Sequence, residues 1–139
     1  PGCTRGLIFY SIDERMVLVD LPGYGWARRS TEERAAWKPL VEGYLSKRRV
    51  LAGVLMLVDI RRGPQEEELM LAEYLDAHDV ARVWVLTKAD KLSRAELARR
   101  LADLERTIEE PMIAVSGETG AGIDAVARWM AKALRGVRR

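Results

Sequence analysis

Apolar and polar positions along this 139-residue chain alternate between strand-like and helix-like periods. Leu7 to Ile12 and Met16 to Asp20 are two short extended runs joined by the charged Asp13-Glu14-Arg15, a pattern that predicts an antiparallel hairpin. Beyond Gly25 the period changes. Ser30 with Glu33 forms a capping box, and Trp37, Leu40, Val41, Tyr44 and Leu45 recur at helical spacing. Pro39 is expected to interrupt or restart that helix, because its ring removes a donor and clashes with the preceding turn. Ala52 to Asp59 is apolar throughout, the pattern of a strand buried on both faces. Gly63-Pro64 ends it. Gln65 to His78 then reads as a helix, Arg82 to Leu86 as a strand, Ser93 to Thr107 as a capped helix, Met112 to Val115 as a strand and Ile123 to Leu134 as the last helix. This alternation predicts a parallel sheet covered by helices through right-handed crossovers. No repeat, low-complexity tract or long linker divides the chain, so residues 1–139 are expected to form one domain.

Composition narrows the picture modestly. With 48% hydrophobic and 32% charged residues the chain is long enough for a real core. Its formal charge of +2 does not by itself imply nucleic-acid binding. Arg28-Arg29, Lys47-Arg48-Arg49, Arg61-Arg62 and Arg135 to Arg139 are candidate local basic patches or solvated faces. One cysteine, Cys3, excludes an internal disulfide and a multi-cysteine zinc site, and it reads as a small unreactive residue. No apolar run approaches a membrane span, so the expected compartment is the cytosol. The single histidine, His78, falls at a helix end, where the helix dipole favours it. Trp37, Trp84 and Trp129 fall on apolar faces and read as core.

Three segments carry candidate chemistry, each following an apolar run: Asp20-Leu21-Pro22-Gly23, Thr87-Lys88-Ala89-Asp90 and Ser116-Gly117-Glu118. All three are expected at carboxyl ends of strands, where open α/β sheets bind ligands. Together, in this order, they read as a guanine-nucleotide site. The Asp90 carboxylate can accept two parallel hydrogen bonds from the guanine ring nitrogen and exocyclic amine, which adenine does not offer in that arrangement. Lys88 can lay its aliphatic stem over the base while its ammonium stays wet. Ser116 and Gly117 can turn backbone amides toward the base oxygen. Asp20 is placed to hold a water on magnesium, and Gly23, lacking a side chain, can present its amide to a terminal phosphate. Thr4 is a candidate direct magnesium ligand through its hydroxyl.

These residues resemble the EngB (YihA/YsxC) family of ribosome-biogenesis GTP-binding proteins, nearly end to end. Pro1-Gly2-Cys3-Thr4-Arg5 is similar to the family's switch I, and Asp20-Leu21-Pro22-Gly23-Tyr24-Gly25 to its switch II, the most specific string in the chain. Trp37, Tyr44, the Asp59-Ile60-Arg61 strand end, Thr87-Lys88-Ala89-Asp90 and Ser116-Gly117-Glu118-Thr119-Gly120 match the remainder. The resemblance implies a three-layer Ras-like P-loop GTPase fold, α/β, with a mostly parallel sheet and one antiparallel strand. It implies GTP or GDP as ligand, Mg2+ as cofactor, the large ribosomal subunit as partner and a link to cell division. Carried over by position, the nucleotide-binding set is Gly2, Cys3, Thr4, Arg5, Gly6, Asp20, Leu21, Pro22, Gly23, Thr87, Lys88, Ala89, Asp90, Val115, Ser116 and Gly117, with Thr4 and Asp20 toward the metal. Tyr24 stands where Ras-like enzymes place a water-orienting Gln. Intrinsic hydrolysis is therefore expected to be slow and to depend on a ribosomal partner or another residue.

One element of that pattern is absent: the 139 residues hold no Gly-x-x-x-x-Gly-Lys-Ser/Thr. The expectation is of a GTPase lacking its first strand, phosphate loop and first helix, beginning in switch I, with exposed sheet edges through which the piece can self-associate. A hydrolysis-deficient ribosome- or RNA-binding module of the same fold is the alternative. Era and Der are weaker matches, because they carry extra domains for which the chain has no room. Trp26 beside Arg28-Arg29 is a candidate for stacking on ribosomal RNA or for packing on a neighbouring helix.

Overall fold

The computed structural model describes residues 7–21, 31–47 and 50–137, with side chains at all of these except Glu33, Arg34, Ala36 and Trp37. The chain divides into two compact units, residues 1–49 and 50–139.

In the first unit, β1 (Ile8–Ile12) and β2 (Met16–Asp20) form the expected antiparallel hairpin, in register from Ile8 opposite Asp20 to Ile12 opposite Met16. Asp13 and Glu14 in the turn take positive φ, the left-handed twist that a tight hairpin needs. Helix α1 (Thr31–Lys47) follows, with Val41 and Leu45 buried on one stripe. Phe9 of β1 meets Tyr44 of α1 edge to face at 6.4 Å between ring centroids. The expected break at Pro39 does not occur, and the helix runs unbroken through it. A proline removes a single backbone hydrogen bond, and its ring clash is relieved by a local bend, so the remaining bonds of a 17-residue helix carry it. Ser30, the expected cap, lies outside the described residues.

The second unit is a parallel sheet in the order β3 (Val54–Asp59), β4 (Arg82–Thr87), β5 (Met112–Ala114). Crossover helices α2 (Glu66–Ala77) and α3 (Arg94–Thr107) connect successive strands, and α4 (Ile123–Gly136) ends the unit. Two crossovers of the same hand, stepping the same way across a sheet, put α2 and α3 on one face. Pleating assigns the side chains. Met56, Val58, Trp84 and Leu86 are buried on that face, as are Ala72 and Leu75 of α2 and Leu104 of α3. Val83, Val85 and Val115 form a cluster on the other, joined by Leu55, Ile113 and, from α4, Val126 and Trp129. Trp84 is core as expected, Trp129 packs half-buried against the Val83, Val85 and Val115 cluster on the opposite face, and the Trp37 side chain lies outside the described set. His78 caps α2, its ring stacked on Tyr74 at 4.2 Å and its Nδ1 2.8 Å from the Tyr74 carbonyl. None of the described helices is long and apolar enough to cross a membrane.

At the amino ends of the strands the Arg82 guanidinium, only 8% exposed, joins the end of α2 to the approach to β5. It pairs with Asp76 and with Glu110, and Glu110 in turn accepts from Trp84 Nε1 at 2.6 Å. Arg82→Met should lower stability by about 2 kcal/mol, because it leaves a part-covered Glu110 without its cation. Asp76, two-thirds exposed, adds little to that. Urea unfolding of the pair measures it, and an unchanged midpoint would contradict this account of the network.

Candidate functional site

The opposite, carboxyl ends of the parallel strands carry the two downstream segments. β4 ends at Thr87, whose hydroxyl donates to the Val58 carbonyl of β3 at 3.3 Å. The chain then turns sharply: Lys88 adopts φ 61° and ψ 34°, the left-handed region, which a side chain with a Cβ occupies only at a cost. A single 3-10 turn, Ala89–Lys91, follows, unforeseen in the sequence. The Ala89 N–H donates to the Val115 carbonyl at 3.0 Å, and the Val115 N–H to the Leu86 carbonyl at 2.8 Å. These two bonds extend the β4–β5 pairing beyond β5 and lock the loops together.

Ser116 is 1% exposed and sits at the centre of that junction. Its hydroxyl donates to Asp90 Oδ1 at 2.7 Å and accepts from the Thr119 N–H at 3.1 Å. Asp90 is thereby held from behind. Its side chain remains 16% exposed, with Lys91 Nζ 3.8 Å from Oδ2. The Ser116 hydroxyl is also the foremost reason that the Asp90 carboxyl titrates below its ordinary value, so it is an anion at neutral pH. The Ser116 N–H, expected to face a ligand, donates instead to the Ala121 carbonyl at 2.9 Å. Its loop closes on itself there, and Gly117, with open space where a Cβ would stand, is the remaining candidate amide.

A third charged group stands beside these loops. Asp59, the last residue of β3, lies opposite Thr87 in the register. Its carboxylate accepts from Arg61 Nε at 3.0 Å, from Arg61 Nη2 at 2.7 Å and from the Arg61 N–H at 2.9 Å, and Lys88 Nζ is 3.6 Å away. The Arg61 fork is the main cause holding the Asp59 carboxyl well below the usual range. Sequence reasoning missed this group as chemistry. Its signal was an Asp at a strand end with an Arg two residues on, the spacing of a turn closed by its own side chain. Nor do Arg61 and Arg62 form a free basic patch, since Arg62 pairs with Glu68 of α2.

Of the upstream positions, Asp20 ends β2 exposed and Leu21 follows it half-buried. Gly2, Cys3, Thr4, Arg5, Gly6, Pro22, Gly23 and Tyr24 lie outside the described residues. Among those described, no three His, Cys, Asp or Glu side chains gather as a metal cage. Magnesium keeps most of its waters and takes one or two hard protein oxygens with substrate phosphates. The Asp20 carboxylate is a donor of that kind.

Four carboxyls among the described residues titrate low in the folded chain: Asp59 through Arg61, Asp76 through Arg82, Asp90 through Ser116 and Glu96 through the Ser93 N–H that it caps. A depressed folded value means stability that is complete above the unfolded carboxylate range and is lost as pH falls through the folded values. The urea midpoint should therefore be flat from neutral pH to about pH 5 and drop below about pH 4. Equal midpoints at pH 3 and pH 7 would contradict these pairings.

Comparison with known proteins agrees with this geometry. Residues 1–88 match the family model described as 50S ribosome-binding GTPase. The probable GTP-binding protein EngB of Syntrophomonas wolfei is 40% identical over 136 residues, covering 96% of this chain and 70% of that protein. Its counterpart in Shouchella clausii is 38% identical over 139 residues, covering 97% and 71%. Among solved structures, a probable GTP-binding protein engB superposes with a TM-score of 0.74 at 17% identity, over 95% of this chain and 85% of that one. Era in complex with MgGDPNP and a piece of 16S ribosomal RNA gives 0.70 at 17% identity, over 94% and 45%. At those identities the structures speak for the fold alone, which is that of the Ras-like P-loop GTPases. The class defined by this fold and the matched family model is the GTP-binding GTPases. Within it, the chain belongs to the EngB family.

Proposed function

We propose that residues 1–139 belong to one G domain, which binds GTP and GDP with Mg2+ and serves assembly of the large ribosomal subunit in the cytoplasm, with a link to cell division. Asp90 reads the ring nitrogen and exocyclic amine of guanine, the stem of Lys88 covers the base, and the Gly117 amide meets the base oxygen. Thr87, Ala89, Val115 and Ser116 hold those groups in place. Asp20 holds magnesium through a water, with Thr4 as its direct ligand. Gly2, Cys3, Arg5, Gly6, Leu21, Pro22 and Gly23 belong to the nucleotide-binding set by their match to the family's switch segments. Tyr24, which lacks an amide, leaves water activation to another group and so makes hydrolysis slow by itself.

The observation that carries this reading is the 2.7 Å bond from the buried Ser116 hydroxyl to Asp90. It ties two strand-end loops, far apart in sequence, around one outward-facing carboxylate of fixed geometry. A ribosomal partner is supported by the description of the matched family, 50S ribosome-binding GTPase.

Calorimetric titration with GDP, GTP and ATP in magnesium tests the nucleotide part. Binding of the two guanine nucleotides with ATP silent is the expected result. Equal binding of all three would overturn the base-site reading. Co-sedimentation with purified 50S subunits tests the partner, and a chain that stays in the supernatant with either guanine nucleotide would remove it.

A further inference from the structure

The turn after β3 is fastened from every side. The Ile60 N–H donates to the Thr87 carbonyl at 3.0 Å, and the N–H groups of Arg62 and Gly63 both donate to the Asp59 carbonyl, at 3.0 and 2.9 Å. From α3, Arg100 reaches back across the sheet end. Its Nε donates to the Ile60 carbonyl at 2.9 Å and its Nη2 to the Arg61 carbonyl at 3.4 Å. Gly63, at φ +73°, leaves room for that guanidinium, since a Cβ there would lie 2.7 Å from Arg100 Nη2. The Arg61 side chain is consequently not a loose surface cation. Its backbone is pinned, and its fork closes on Asp59.

What this rigid turn presents to the base-reading loop is a single carboxylate between two cations. Asp59 Oδ2 is 2.7 Å from Arg61 Nη2 and 3.6 Å from Lys88 Nζ. Remove the negative charge and two cations face each other across a few ångströms, so that Lys88, the longer and less constrained, moves away. With the charge in place the ammonium has a partner 3.6 Å away at the end of β3. The left-handed backbone at Lys88 fixes the other end of the same side chain. An extended platform for a flat base needs both ends held, because each freely rotating bond of a lysine adds entropy that binding must remove.

We propose that Asp59 is a positioning residue for guanine recognition, acting through Lys88: the Arg61 fork fixes the carboxylate, and the carboxylate presets the lysine stem beside the base read by Asp90. This rests on the base-site reading above. It differs from a role in the turn alone, for which an uncharged acceptor at position 59 suffices.

The distinction is measurable with guanosine, which carries no phosphate and so isolates the base pocket, against adenosine as control. Binding is followed by chemical-shift titration of the full chain. Asp59→Asn keeps one oxygen acceptor, for the Arg61 N–H and Nε, and removes the charge together with the acceptor that Arg61 Nη2 uses. It should weaken guanosine about threefold at low salt, the scale of an exposed ion pair, and have no further effect once Lys88→Ala has been introduced. The same loss in both backgrounds would mean that Asp59 supports the loop and not Lys88, and would overturn the inference while leaving the base site intact. A parent chain that binds guanosine and adenosine alike would overturn the base-site reading itself. Two readouts stand apart from that cycle. In the parent, 0.5 M salt, with a Debye length of about 4 Å, should weaken guanosine about as much as Asp59→Asn does, and should not affect Lys88→Ala. In the ligand-free chain the order parameter of the Lys88 Cε methylene should fall on Asp59→Asn. An unchanged order parameter would show that the pair does not restrain the lysine in solution, and would end the proposal.

Discussion

Asp90→Asn should abolish the preference of this chain for guanine over adenine, weakening guanine-nucleotide binding about 100-fold, the upper end of what leaving a buried donor unpaired costs. The carboxylate offers acceptors on both oxygens. An amide keeps one acceptor and places a donor where guanine presents its amine, so two N–H groups confront each other. The fold should survive the change, because the Ser116 hydroxyl, now 2.7 Å from Oδ1, can donate equally to an amide carbonyl. Loss of binding with an unchanged unfolding midpoint is therefore the expected pair of results. A base with a carbonyl in place of the exocyclic amine should gain affinity, since it complements the new donor. Titration of parent and variant with GDP, ADP and xanthosine diphosphate measures all three, and retained tight guanine selectivity would remove Asp90 from the site.

The second large effect is structural and reaches the same site from below. Gly122 opens α4 at φ +78°, and a Cβ built there would stand 2.0 Å from the Ala114 carbonyl oxygen and 3.0 Å from the Val115 side chain. Neither neighbour can retreat. Ala114 belongs to β5, and the Val115 carbonyl accepts from Ala89 in the loop that carries Asp90. Gly122→Ala should cost about 3 kcal/mol, combining left-handed strain with a backbone collision. It should also loosen the turn in which the Ser116 N–H meets the Ala121 carbonyl at 2.9 Å. Gly120 is the control. Its φ is +80°, yet nothing lies within 4 Å of its missing Cβ, so Gly120→Ala carries the strain alone, about 1 kcal/mol. Urea unfolding of both variants separates the two contributions, and equal losses would show that the collision has no weight.

Much of this was legible in the chain itself, for identifiable reasons. The strands β3 and β4 were legible as apolar runs of strand length, but the two-sided burial expected of β3 does not hold: Leu57 is 62% exposed, while Val83 to Leu86 of β4 are buried on both faces. The start of α3 was expected at Ser93, and there Ser93 and Glu96 form reciprocal cap bonds, at 3.2 Å to the Ser93 hydroxyl and 2.7 Å to the Glu96 carboxylate. Pro39 was misleading because a local rule was applied where neighbouring bonds outvote it. The base-reading segments were visible because strand ends and polar loops are both local patterns.

Pattern and order alone determined the alternation of elements, the direction of the β3–β4–β5 sheet, and the residue types that make a guanine site chemically sensible. Only the tertiary structure decided how those residues are used. It committed the Ser116 hydroxyl to Asp90 and its amide to Ala121, put Lys88 into a left-handed turn, and converted Arg61 from a surface cation into a fork on Asp59. The physical reason is range. Periodicity and capping act over a few residues, whereas Asp90 and Ser116 are 26 positions apart and Arg100 and Ile60 are 40. Contacts of that span exist only once the sheet has brought its strand ends to one side.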